Sequence, residues 1–243
     1  MTERSALVLG VGPVKGLGAA LAQRFAREGL NVVIAGRSPA KLEQVAELID
    51  GQGGVAVPVV ADATEPAQMT ALAKVLTERC PPLTLAALTV DRNQPAPFLD
   101  TDVALYTDLW RQNSLAAFLF AQTVIPLMLA QGQGTLLFTG ATASLRAKPP
   151  FTAFASAKAG VRALAQGLAR EFGPKGLHIV HCIIDGVIDG DRARQQFPDF
   201  VAGKGEDGLL DPEAIAETYW QLHQQPANAW SHELDLRPFK ESF

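Results

Sequence analysis

Short apolar runs alternate with helical stretches along the whole chain, and this alternation restricts the fold more than any other feature. The runs cover 6–9, 31–35, 55–60, 83–88, 135–139, 179–184 and 232–236. Helix-forming stretches lie between them at 16–28, 39–51, 65–79, 102–131, 152–172 and 212–224. Apolar runs without polar alternation suit strands covered on both faces. Strand–helix alternation then implies a mainly parallel sheet with right-handed crossovers, so the chain reads as a doubly wound α/β protein. No repeat or low-complexity linker interrupts the pattern, and 1–243 reads as one domain. At 48% apolar, the chain can bury a sizeable core without disulfides or metals. The stretch 189–210 is long, charged and glycine-bearing, as expected of a lid over a site.

The turn between the first run and the first helix carries Gly12-x-x-x-Gly16-x-Gly18. Glycines here let the backbone approach a pyrophosphate, and the helix N-terminus offers free N–H groups and a partial positive charge. Gly12, Lys15, Gly16, Leu17 and Gly18 are therefore candidate cofactor-binding residues in a Rossmann-like fold. An acid at the end of the second run would bind the ribose 2′-hydroxyl of NAD, but Gly36-Arg37-Ser38 stands there instead. Arg37 is placed to pair with a 2′-phosphate, with Lys15 as a second cation on the same side. The expected cofactor is NADP(H).

This glycine spacing resembles that of the short-chain dehydrogenases/reductases, whose length and strand–helix order match nearly the whole chain. The family usually has Thr before the first glycine, where this chain has Val11. Asp62, after the third run, resembles the family residue that contacts the adenine. As a bare feature it also suits a helix start. Phe154-Ala155-Ser156-Ala157-Lys158 is similar to the family's Tyr-x-x-x-Lys, with the lysine kept and the tyrosine replaced by Phe154. In the family that lysine binds the nicotinamide ribose and lowers the tyrosine pKa. The family serine falls on Ala141, thirteen residues before Phe154. Asn113 matches the family asparagine that holds a water and bends its helix. The resemblance thus implies roles for Asn113 and Lys158 and the loss of the pair that handles the proton.

Two supporting motifs also differ. The family's Asn-Asn-Ala-Gly reads Leu88-Thr89-Val90-Asp91, and its Pro-Gly reads Asp185-Gly186. Both new carboxylates fall at carboxyl ends of strands, where such sheets bind ligands. Asp185 is a candidate acid or base, Asp91 a weaker one, and Thr142 a hydroxyl near the lost serine. His178 and His181 are three apart on a strand and face opposite sides, so no metal site is expected.

A net charge of −4 without a block of like charges gives no reason to expect nucleic acid or an anionic membrane as partner. The N-terminus lacks a signal-peptide core, and 115–129 carries Gln122, Thr123 and Pro126, so it reads as a buried helix. Two scattered cysteines fit a cytoplasmic protein. Helices 102–131 and 152–172 are apolar on more than one face, and the family pairs the matching helices, which implies a homodimer or homotetramer. Two functions follow. One is an atypical NADP(H)-linked oxidoreductase acting on a carbonyl, imine or activated alkene. The other is a non-redox protein on the same fold: a ligand-binding pseudoenzyme, an isomerase or a cyclase.

Overall fold

A computed structural model describes residues 4–241; the few terminal residues of the expected 1–243 domain lie outside the described residues. Its parallel sheet holds β1 (Ser5–Leu9), β2 (Asn31–Gly36), β3 (Val55–Val60), β4 (Leu83–Leu88), β5 (Gly134–Thr139), β6 (Leu177–Ile184) and β7 (Glu233–Leu236). The strand order is β3-β2-β1-β4-β5-β6-β7, so the direction of winding reverses between β1 and β4. Ligands of such sheets bind at that reversal, outside the carboxyl ends of the strands.

Alternation within β1 shows how both faces are covered. Ala6 and Val8 join a core with α1 (Leu17–Arg27), α2 (Pro39–Gly51) and α9 (Pro212–His223). Leu7 and Leu9 join the opposite core with α3 (Pro66–Arg79), α5 (Ala116–Leu129) and α6 (Thr152–Phe172). Burying apolar side chains on both faces contributes about 1.5–3 kcal/mol each, which explains why the strands read as unbroken apolar runs.

Three expectations need correction. The run at β3 is not covered on both faces: β3 is an edge strand, and Val55 and Val60 are exposed. Its Pro58 was the available signal, since proline within a sheet belongs at an edge. The helix at 102–131 is not one regular helix. It consists of α4 (Val103–Trp110), a wide π turn (Arg111–Leu115) and α5. Together, Val103–Leu129 is long and apolar enough to cross a membrane by length and composition, yet α5 is mostly buried inside the protein. The expected lid loop contains two short helices, α7 (Asp191–Gln196) and α8 (Pro198–Lys204).

Candidate functional site

The carboxyl ends of β1, β2, β4, β5 and β6 open onto a cleft of about 770 Å³. At its centre the chain must turn sharply after β1. Gly10 has φ +108°, and a Cβ there would lie 2.6 Å from the Val90 nitrogen. A Cβ on Gly36 would lie 2.4 Å from the Val11 carbonyl oxygen, and one on Gly18 would lie 2.9 Å from Val11 Cα. These glycines let three backbone segments meet. A Cβ on Gly12 would touch no protein atom and would occupy the cleft itself. Gly16 begins α1 without any side-chain cap, so the first-turn N–H groups of Leu17 and Gly18 have no capping acceptor. A pyrophosphate fits this donor set and this space.

At the end of β2, Arg37 is exposed and pairs with no carboxylate among the described residues. Ser38 caps α2, its Oγ accepting from the Lys41 nitrogen at 3.5 Å. Lys41 thereby joins Arg37 and Lys15 on the cleft wall. The sequence analysis missed Lys41, although its place one turn into a capped helix beside Arg37 was legible. Asp62 lines the same end, and its Oδ1 accepts from both the nitrogen and the hydroxyl of Thr64 at 2.9 Å. It organises the turn before α3, whose N-cap is Glu65 rather than Asp62, and it faces the cleft.

At the other end, Lys158 is 2% exposed. Its Nζ donates to the Thr139 carbonyl at 3.2 Å and stands 2.9 Å from Asp91 Oδ1. It also lies 5.8 Å from the centre of the Phe154 ring. Asp91 is therefore the counter-ion of the one buried lysine among the described residues, and it also lies 3.5 Å from Arg192 of α7. The 189–210 segment is held on a second wall too, since the Asp191 nitrogen donates to the Lys15 carbonyl at 2.8 Å. Asn113 sits in the π turn, where its Nδ2 donates to the carbonyls of Leu109 at 2.9 Å and Arg92 at 3.1 Å. Asn113 thus ties α4 to the loop after β4.

Asp185 is brought to the back of the cleft wall rather than into the open cavity, whose lining includes its neighbours Ile184 and Gly186. Its Oδ1 accepts from the Thr142 hydroxyl, and its Oδ2 lies 2.6 Å from Arg237 and 3.4 Å from Arg146. The carboxylate thus orients Thr142 and Arg146. Thr142 spends its single hydrogen on Asp185, which leaves its oxygen only as an acceptor toward the cleft. Ala141 and Phe154 line the cleft without a donor.

The sequence analysis read His181 only as a poor metal ligand, and the structure buries it against Glu233. His181 has no exposed surface, and a Cβ on Gly140 would lie 2.3 Å from its Nε2, so the ring backs directly onto the turn after β5. Burial pushes His181 down to about 4 despite Glu233, so the neutral imidazole donates its Nδ1–H to Glu233 Oε2 at 2.9 Å. Glu233 is held down at about 2, first by its bidentate pair with Arg162 at 2.7 and 2.8 Å. His181 and Glu233 are register partners on β6 and β7, a pairing that no local spacing announces.

Comparison with known proteins sets this geometry in context. Residues 5–199 match the family model for short chain dehydrogenase. An uncharacterized oxidoreductase of Staphylococcus saprophyticus is 25% identical over 242 residues, covering 98% of each chain. The crystal structure of a short-chain dehydrogenase from Rhodopseudomonas palustris is similar at 36% identity and TM-score 0.83, over 97% of this chain and 99% of that one. An actinorhodin polyketide ketoreductase solved with NADPH shares the fold at 20% identity and TM-score 0.88, over 100% of this chain and 98% of that one.

Proposed function

Because the chain belongs to the short-chain dehydrogenase/reductase family of oxidoreductases, we propose that it is an NADP(H)-dependent member whose proton handling does not use the family's serine and tyrosine. The observation that carries the cofactor reading is the cationic end of the cleft. Arg37, Lys41 and Lys15 line it, and no acid ends β2. A 2′-phosphate satisfies these cations, whereas a bare ribose hydroxyl leaves them without a partner. The polyketide ketoreductase of the same fold carries NADPH, which supports the assignment.

The residues present fit the dinucleotide. Gly12, Gly16, Leu17 and Gly18 would hold the pyrophosphate, Asp62 would meet the adenine, and Lys158 with Asp91 would meet the nicotinamide ribose. When bound, the cofactor supplies or accepts a hydride. Phe154 walls the site, keeps water out and offers no proton. Lys158 Nζ stands 2.9 Å from Asp91 and donates to the Thr139 carbonyl. Thr142 accepts but does not donate. A carbonyl oxygen would therefore find no hydroxyl donor at the two positions where the family provides one. Substrates that need little protonation, such as an iminium or an activated alkene, suit this wall.

The protein acts as a homodimer or homotetramer in this reading, with a small-molecule substrate and a cytoplasmic setting. The test is a fluorescence titration of the pure protein with NADPH and NADH. Tight binding with NADPH preferred is the expected result. Absence of binding at millimolar cofactor overturns the redox reading and leaves the non-redox function that Ala141 and Phe154 favour.

A further inference from the structure

We infer that the substrate carries a carboxylate on an apolar body, and that Arg146 is the residue that reads the carboxylate. The inference names the substrate class of the site proposed above and rests on that placement of the cofactor end. Beyond Lys158 the cleft is walled by Phe151, Phe154, Val187, Phe197 and Phe200, a surface suited to a hydrocarbon or aromatic body. Arg146 lines the same cleft, as do the polar Lys148, Arg192, Gln196 and Lys204.

Local structure fixes Arg146 in place. Its nitrogen donates to the Thr142 carbonyl at 3.2 Å, which closes the turn after β5. Behind it, Asp185 touches one terminal nitrogen at 3.4 Å, but the same carboxylate oxygen lies closer to Arg237, at 2.6 Å. The Arg146 Nε is buried and has no hydrogen-bond partner. The side chain nevertheless keeps 34% of its surface exposed, on a residue that lines the cleft. A guanidinium has five N–H donors in a planar fork, and Asp185 uses little of it. The other acids at this end are engaged: Asp91 with Lys158 and Arg192, and Glu241 with Lys204 at 2.7 Å.

An apolar substrate would desolvate this guanidinium and give nothing back, which is costly. A neutral amide would satisfy part of the fork. A carboxylate matches it with two parallel charge-assisted hydrogen bonds. Asp185 then acts as a positioning residue that holds the fork from behind.

The test uses the intact protein, with and without saturating NADP+, in isothermal titrations with phenylpropanoate, phenylbutanoate and phenylhexanoate. The primary amides of the same acids and a phenylalkyl phosphate serve as comparisons. The expected result is that at least one acid binds with Kd below about 1 mM and about tenfold or more tighter than its amide. Arg146→Gln should erase that ratio, and Arg146→Lys should retain only part of it, because it keeps the charge and loses the fork. Asp185 keeps Arg237 and Thr142 in both variants, and thermal melting checks that each is folded. If Arg146→Gln does not fold, Arg146→Lys carries the test through the same ratio. Three results overturn the inference: no acid binds, acid and amide bind alike, or the ratio survives the substitution. A phosphate that binds more tightly than every acid overturns the choice of carboxylate. If NADP+ fails to bind while the acid-to-amide ratio stands, the cofactor reading falls and the carboxylate site remains.

Discussion

Single residues set the properties of both ends of the cleft. Arg37 is exposed and unpaired among the described residues, so its role can be removed without breaking an internal contact. Arg37→Asp should weaken NADPH by about tenfold or more and reverse the preference toward NADH, because it removes a charge-assisted partner and adds repulsion. Equal affinity for the two cofactors in the parent protein would count against the assignment. His181 makes a separate prediction about pH. Its folded value is near 4 and its unfolded value near the ordinary 6.5, so between those values the unfolded chain binds more protons. Stability is then lost as pH falls from about 6.5 toward 4, by on the order of 2 kcal/mol at pH 5 from this one group. Glu233 acts lower: its contribution is present above about 4.3 and is lost as pH falls toward 2. His181→Gln keeps a donor for Glu233 and does not titrate. Its thermal stability should fall less between pH 7 and pH 5 than that of the parent. Part of the slope should remain, because burial also lowers His223 to about 4.

Elements were legible where one local pattern decides them. β1, β2 and β4 to β6 are apolar runs buried on both faces, and α1, α2, α3 and α9 stand close to where periodicity and caps put them. α7 and α8 were not legible, because six or seven residues give too few turns to show a helical period. The site divides the same way. The glycine loop and Arg37 are contiguous in sequence and could be read directly. The pairs Asp91–Lys158, Asp185–Arg237 and His181–Glu233 join distant strands and helices, so only the folded sheet reveals them. These pairings change what α6 can be made to do. Phe154→Tyr with Ala141→Ser restores the missing hydroxyls, yet Asp91 still neutralises the lysine that should activate the new phenol. The double variant should therefore gain little carbonyl reduction. Adding Asp91→Gly should raise that activity by roughly 10² or more, within the range of a positioned general acid. The three proteins can be compared by NADPH oxidation with a panel of ketones. Equal rates in the double and triple variants would show that Asp91 does not restrain Lys158.

At the scale of the molecule, one flank stands out. Leu99, Val103, Tyr106 and Trp110 leave large apolar surfaces exposed on and before α4. Clustered exposure of this kind suits the proposed association of copies. Light scattering at micromolar concentration should give a dimeric or tetrameric mass, and Val103→Glu with Leu99→Glu should lower it to that of the monomer. A monomeric parent would refute the proposed assembly. The other end of the sheet has a consequence for biosynthesis. β7 supplies Glu233 to His181, and the segment just after it supplies Arg237 to Asp185. Translation delivers β7 after every other described strand. Until it docks, His181 on β6 and Asp185 just after it each lack a main partner, His181 backing directly onto the turn after β5. The groups behind the cleft thus gain their last partners only when the end of the chain is made. Premature termination shortly before β7 would keep the glycine loop's sequence yet leave His181 and Asp185 without these partners.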